Sequence, residues 1–267
     1  MNSPSLQAEA LGTLMARDPE EKARRVTDLM HRFSAGVLPC AHPAESRLVT
    51  IPGRPDRPRL VAPGRLEKRG LGSARGRACL VHAVAHIEFN AINLALDAVY
   101  RFAGLPQAFY ADWLSVAVDE ARHFRLLADR LLQLGYRYGD FPAHNGLWEM
   151  ALKTAHCGMT RMALVPRVLE ARGLDVSPGM IARLDGAGDE ATADILRVIL
   201  REEERHVEIG TRWFHYLCDR NGAGDPDKVF LELIDREFAA VRPPLNHPAR
   251  RRAGFSADEL AGLERRF

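Results

Sequence analysis

The strongest constraint on this chain is a five-residue pattern that occurs twice. Asp119-Glu120-Ala121-Arg122-His123 and Glu202-Glu203-Glu204-Arg205-His206 both read acid-Glu-x-Arg-His. On a helix, residues three apart share a face, so each Glu-x-x-His turns a carboxylate and an imidazole toward one point. A single copy is common on solvated helices. Two copies in separate segments, with the same Arg spacing, are a much more specific signal. Each copy also follows a lone glutamate at nearly the same distance: Glu88 precedes Glu120 by 32 residues, and Glu170 precedes Glu203 by 33. The chain therefore reads as an approximate repeat of lone Glu, turn and Glu-x-x-His, which calls for four helices.

The neighbours of these acids are apolar. Trp113, Val116, Ala117, Phe124, Leu127 and Leu131 surround Glu120 at helical spacing. Leu196, Ile199, Leu200, Val207 and Phe214 surround Glu203, and Val84, Ala85, Ile92, Ala95 and Val99 surround Glu88. Glu170 has Met159, Ala163 and Pro166. Four buried carboxylates cost many kcal/mol unless compensated, and two divalent cations would cancel their charge. A structural ion-pair network is the competing reading. His86 competes with Glu88 as a ligand, and Glu204 or Glu208 could be argued near His206, although Glu208, two beyond it, turns to another face. Pro166, one turn before Glu170, removes a backbone hydrogen bond and should kink its helix.

Helical periodicity predicts helix A over 74–103, helix B over 106–134, helix C over 145–172 and helix D over 189–220. Gly104, Gly135, Gly173 and Asn221-Gly222 serve as stops. Helix A should lie beside B, and C beside D, in an all-α four-helix bundle spanning residues 73–220. A short helical piece should follow Ser177-Pro178. Before the bundle, residues 1–72 read as one helix starting at Asp18-Pro19, then a Pro/Gly/Arg-rich wrapping arm. Residues 221–267 read as a helical extension, with one helix from Asp225-Pro226 to about 239 and another opened by Ser256-x-x-Glu259 as a capping box.

Composition narrows the setting. At 46% hydrophobic residues the chain is no disordered protein, and its net charge of +2 makes no electrostatic case for nucleic-acid binding. No apolar run approaches the ~20 residues of a membrane span, and the N-terminus does not read as a secretory signal. The four cysteines are widely separated and form no CxxC pair. They read as free thiols of a cytoplasmic protein.

The doubled motif resembles that of the ferritin-like di-iron carboxylate superfamily. More closely, HAVAHIEFNAINLALDAVYRF, GDFPAHNGLWEMA and MALVPRVLEARGLDVSPGM are similar to a bacterial ferritin-like family of unassigned function, domain of unknown function (DUF) 455, over most of residues 40–255. The resemblance implies a ferritin-like fold and a dimetal site with ligands Glu88, Glu120, His123, Glu170, Glu203 and His206. Asp119, Arg122, Glu202 and Arg205 would stand behind them, the acids accepting from the ligand histidines and the arginines pinning the acids. Glu202 departs from the commoner Asp.

Two Fe ions are the expected cofactor, with Mn or mixed Fe/Mn as alternatives. The expected activity is an O2-dependent oxidoreductase or hydroxylase acting on a small organic molecule, with a modified nucleoside of tRNA as one candidate. The catalytic residues, the substrate and the electron donor are not legible. Ferroxidase or iron handling, manganese peroxide scavenging and a metal-stabilised scaffold remain alternatives. A further stripe on helix A, His82, His86, Asn90, Asn93 and Asp97, reads as a buried polar seam against the arm or a homodimer mate, with a second metal site as the sharper alternative.

Overall fold

The computed structural model describes residues 5–40, 46–66, 70–237 and 241–266. The described residues are helical, with no strand among them and one isolated parallel bridge, Leu60 to Ala143. The chain divides into two compact units, residues 1–152 and 153–267.

In the first unit α1 spans Leu6–Leu14 and α2 spans Pro19–Ser34. Asp18 caps α2 as expected, its carboxylate accepting from the Glu21 amide at 2.8 Å. The separate α1 was not expected; Leu6, Ala10 and Leu14 bury its inner face. α3 (Ala74–Arg101) starts at Ser73, whose hydroxyl accepts from the Gly76 amide. α4 (Gln107–Gln133) follows a turn in which Gly104 adopts φ +73°, a left-handed conformation that favours glycine. α3 packs along α4, while α1 packs on α3 and α2 on α4. The pairing expected of helices A and B is therefore observed.

α3 is long and apolar enough to suit a bilayer, contrary to the sequence expectation, but 89% of its most apolar window is buried in the fold. The arm, residues 46–66, is irregular and anchored. The Gly53 amide donates to the Leu14 carbonyl, and the Trp148 indole donates to the Thr50 carbonyl at 3.1 Å. The Lys22 ammonium is fully buried and donates to the carbonyls of Leu14 and Gly53 and to the Asn93 side chain.

The expected helix C is four pieces. α5 (Gly146–Lys153) ends at a break before Cys157, which caps α6 (Gly158–Leu164). A π-helix covers Val165–Glu170, and α7 runs Ala171–Gly186. Gly173 therefore does not stop the helix, and Pro178 lies within α7 rather than opening a new one. Pro178 has no N–H to give Leu174, and the Asn246 side-chain amide takes that carbonyl at 3.0 Å.

α8 (Glu190–Arg220) is the long helix of the second unit and packs on α6, the π-helix and α7, as expected of C and D. α9 (Pro226–Glu237), α10 (His247–Arg252) and α11 (Ala257–Glu264) complete the unit. The last few residues expected in α9 lie outside the described residues. The capping box at Ser256 and Glu259 is present in both directions. The four cysteines are free thiols.

Candidate metal centre

Glu88 projects from the middle of α3, and Glu120 and His123 sit one turn apart on α4. Side-by-side packing of the two helices brings the three together. His123 Nδ1 lies 3.1 Å from Glu88 Oε2 and 3.6 Å from Glu120 Oε2. Donor atoms of all three lie within 4.8 Å of one another, and all three residues are buried.

Burial alone would lower the His123 pKa, but hydrogen bonds and charge from Glu120 and Glu88 outweigh it and raise the pKa to about 11. A proton on His123 thus compensates two buried carboxylates. A divalent cation held by the same carboxylates and the neutral imidazole would compensate them better. Two carboxylates and an imidazole form a mixed N/O donor set that suits Fe, Mn or Zn. The apolar neighbours expected around Glu88 and Glu120 are all buried.

In the second unit, Glu203 and His206 are one turn apart on α8 and both buried, with His206 Nδ1 3.7 Å from Glu203 Oε1. Glu170 closes the π-helix and is half-buried. The distortion before it has identifiable causes. Pro166 lacks the N–H of an α-helical turn. Opposite its ring stands Gly210 of α8, where a Cβ would lie 2.3 Å from the Pro166 ring carbons. Glycine at 210 is what lets the proline approach.

Arg167, fully buried, gives two hydrogen bonds to Glu259, at 2.6 and 2.7 Å. Its guanidinium is enclosed by the rings of Phe230, Phe255 and Phe214, at 4.0, 4.6 and 4.9 Å. Arg250 and Asp175 form a second buried bidentate pair, at 2.9 and 2.7 Å. The sequence reading missed Arg167, Gly210 and Glu259 in this role. The only local sign was the capping box that presents Glu259.

Of the outer residues, Arg122 pairs with Asp119 at 3.5 Å, in a partly exposed contact. Arg205 is exposed and Glu202 half-buried. The competing ligands have other partners: Glu204 pairs with Arg252 at 2.5 Å and Glu208 with Arg212 at 3.2 Å.

His86 bonds the Tyr138 hydroxyl at 2.8 Å and the His144 carbonyl at 3.1 Å, and burial lowers its pKa to about 4. The rest of the α3 stripe is likewise a polar seam. The Gly139 amide donates to His82 at 2.9 Å, Asn90 donates to the His86 carbonyl at 2.8 Å, Asn93 receives Lys22, and Asp97 pairs with Arg101 at 2.7 Å. The stripe holds the 136–144 turn and the arm onto α3.

Comparison with known proteins agrees in extent with the sequence resemblance. An uncharacterized protein of Haemophilus influenzae is 44% identical over 262 residues, covering 92% of this chain and 89% of its own. No solved structure matches the chain. The model of a family described as protein of unknown function (DUF455) matches residues 15–261, and the chain belongs to that family.

Proposed function

We propose that Glu88, Glu120, His123, Glu170, Glu203 and His206 form one dimetal centre on a ferritin-like scaffold, and that the protein is an O2-dependent oxidoreductase of an organic substrate. The observation that carries this reading is the buried Glu88–Glu120–His123 cluster, with its donor atoms within 4.8 Å. The second Glu-x-x-His pair supports it, because Glu203 and His206 are also buried.

Two carboxylates and an imidazole per half leave coordination positions open, which a catalytic site requires and a purely structural one does not. Iron held there would supply activation of O2, with an external reductant providing two electrons for each hydroxylation. The chain's own residues orient the ligands: Asp119 and Glu202 as acceptors for the ligand histidines, Arg122 and Arg205 as their counter-charges. The apolar residues around Glu88 and Glu120 keep bulk water out.

The test is reconstitution with ferrous iron under anaerobic conditions, followed by metal analysis and an ultraviolet–visible spectrum on adding O2. Close to two irons per chain, an O2-dependent absorbance change, and metal loss in both His123→Ala and His206→Ala are expected. Unchanged metal content in both variants would overturn the assignment. Oxidation that continues through many irons per chain without substrate would move the reading to iron handling. Metal uptake from manganese but not iron would move it to peroxide scavenging.

A further inference from the structure

The net charge of +2 conceals a segregation. Residues 46–77 contain nine Lys and Arg against two Asp and Glu, so this stretch carries +7 and the rest of the chain is net negative. A charge run is usually a solvated face, but the stretch from Arg57 to Val61 is held on a fixed support. The Val61 amide donates to the Ala143 carbonyl at 2.8 Å, and the Ala143 amide to the Arg59 carbonyl at 3.1 Å. Pro58 is buried while Arg57 and Arg59 on either side of it are exposed. Gly139 lies against Arg57, and a Cβ at 139 would approach the Arg57 Cβ to 2.9 Å.

Arg57 and Arg59 form one wall of a groove of about 340 Å3 whose other wall is Gly139, Asp140, Phe141 and Pro142. The Arg75 guanidinium lies 5.3 Å from the Phe141 ring at the same turn. The single acid of the groove, Asp140, accepts from the Arg137 amide at 2.7 Å.

We propose that this arginine groove on the arm binds the phosphate backbone of a nucleic-acid strand. Three features select that partner. The guanidinium fork matches phosphate oxygens. Further positive charge lies on the arm at Arg54 and Arg65, the intervening Asp56 being paired with Arg17, which suits a chain of phosphates better than one. The groove-lining residues include none of the exposed large apolar side chains (Met15, Val37, Leu48, Ile51, Ile87, Leu132 and Tyr216), and the arm is not an amphipathic helix, so a lipid surface fits poorly. Because the backbone at Arg59 and Val61 is already bonded to Ala143, binding need not order it. The inference goes beyond the dimetal reading and does not rest on it, since none of the six proposed ligands lines the groove.

The test is fluorescence anisotropy of the full chain, as purified and after chelation, with a fluorescein-labelled single-stranded RNA of about 20 nucleotides. Salt is varied between about 50 and about 200 mM. Arg57→Gln/Arg59→Gln should weaken binding at least tenfold at low salt. It should also reduce the slope of log affinity against log salt by about 1.4, at about 0.7 for each phosphate no longer neutralised. Arg24→Gln/Arg251→Gln removes the same charge from exposed arginines elsewhere and should change affinity less than twofold. Equal melting temperatures for both double variants and the wild type establish that folding is not the cause. Three results would overturn the proposal: equal loss in both double variants, unchanged affinity in Arg57→Gln/Arg59→Gln, or binding to phosphatidylserine vesicles but not to RNA. Competition by inorganic phosphate as effective, per phosphate, as by unlabelled RNA would also overturn it, by reducing the groove to a single-anion site.

Discussion

The proposed ligand group on α3 and α4 and the proposed group around the π-helix start from the same five-residue pattern and reach different backbones. In the first unit the lone Glu88 comes from an unbroken helix of 28 residues, and His123 sits between two carboxylates. In the second, the lone Glu170 ends a π-helix, and the distortion is held by a proline, a facing glycine and a buried ion pair. The contrast teaches that a repeated motif does not repeat its support. The first group is held by local helix packing. The second depends on contacts from far along the chain, since Glu259 is 92 residues beyond Arg167.

The largest effect should come from that distant contact. Arg167→Met leaves Glu259 buried without its counter-charge, at a cost of about 3–5 kcal/mol by the behaviour of buried pairs broken on one side. Arg167→Met/Glu259→Leu removes both charges and should recover most of the loss. Urea denaturation of the single and double variants measures both. If the single variant loses under about 1 kcal/mol, the ion pair does not support the second unit and the contrast between the halves fails.

Next comes pH, which sharpens the comparison within the first unit. His123 titrates at about 11 in the metal-free fold against 6.5 for a free histidine. Its contribution is fully present below pH 6.5 and is lost as pH rises toward 11. Lys22 has the opposite sign. Burial lowers its pKa from 10.5 to about 7, so the unfolded chain holds the extra proton between those values and stability gains as pH rises through them. Each slope approaches about 1.4 kcal/mol per pH unit. Metal-free wild type should therefore show a nearly flat stability between pH 7 and 9, below the range in which Cys218, pushed up by burial from 9.0 to about 11, adds a loss with rising pH. His123→Asn should show stability rising with pH, and so should metal-loaded protein, because the ligand histidine is then neutral. Denaturation midpoints at pH 7, 8 and 9 check this. A metal-free His123→Asn protein that loses stability with pH would refute the charge assignment.

What the sequence made legible follows the range of the causes. α3, α4 and α8 were readable because their apolar residues keep a continuous helical period and their ends carry local signals. The Glu-x-x-His pairs were readable because three-residue spacing on a helix is a local fact. The break of helix C was not readable, although Pro166 marked the disturbance. Whether a proline gives a kink, an end or a π-turn depends on what faces it, and Gly210 is 44 residues away. Gly173 read as a stop because glycine often ends helices. A glycine inside a helix costs only about 1 kcal/mol, and tertiary packing overrides that. α1 was missed because it carries little amphipathic pattern of its own and is buried by packing on α3. The arm's arginines were visible as letters, but their fixed presentation depends on the Ala143 bridge and the Gly139 contact.

The smallest effects come from a matched pair of glycines and divide the second unit into a strained part and a relaxed one. Gly210→Ala places a methyl 2.3 Å from the Pro166 ring, which is held within the π-helix and cannot swing aside as a flexible side chain would. Either α8 moves or the π-helix relaxes, at a cost of about 1–3 kcal/mol for overpacking. Relaxation would shift Glu170, so metal retention should fall with stability, and Gly210→Ala/Pro166→Ala should recover part of both. Gly173→Ala, on the next turn of the same helical segment, meets nothing within 4 Å, and Gly173 has no positive φ. There the methyl only removes freedom from the unfolded chain and should stabilise by about 0.5–1 kcal/mol, with metal content unchanged. Denaturation curves and metal analysis of the three variants decide the matter. Opposite signs at 210 and 173 localise the strain to the π-helix, whereas a loss of similar size at both would spread it over the whole segment and remove the reason for treating Glu170 as specially held.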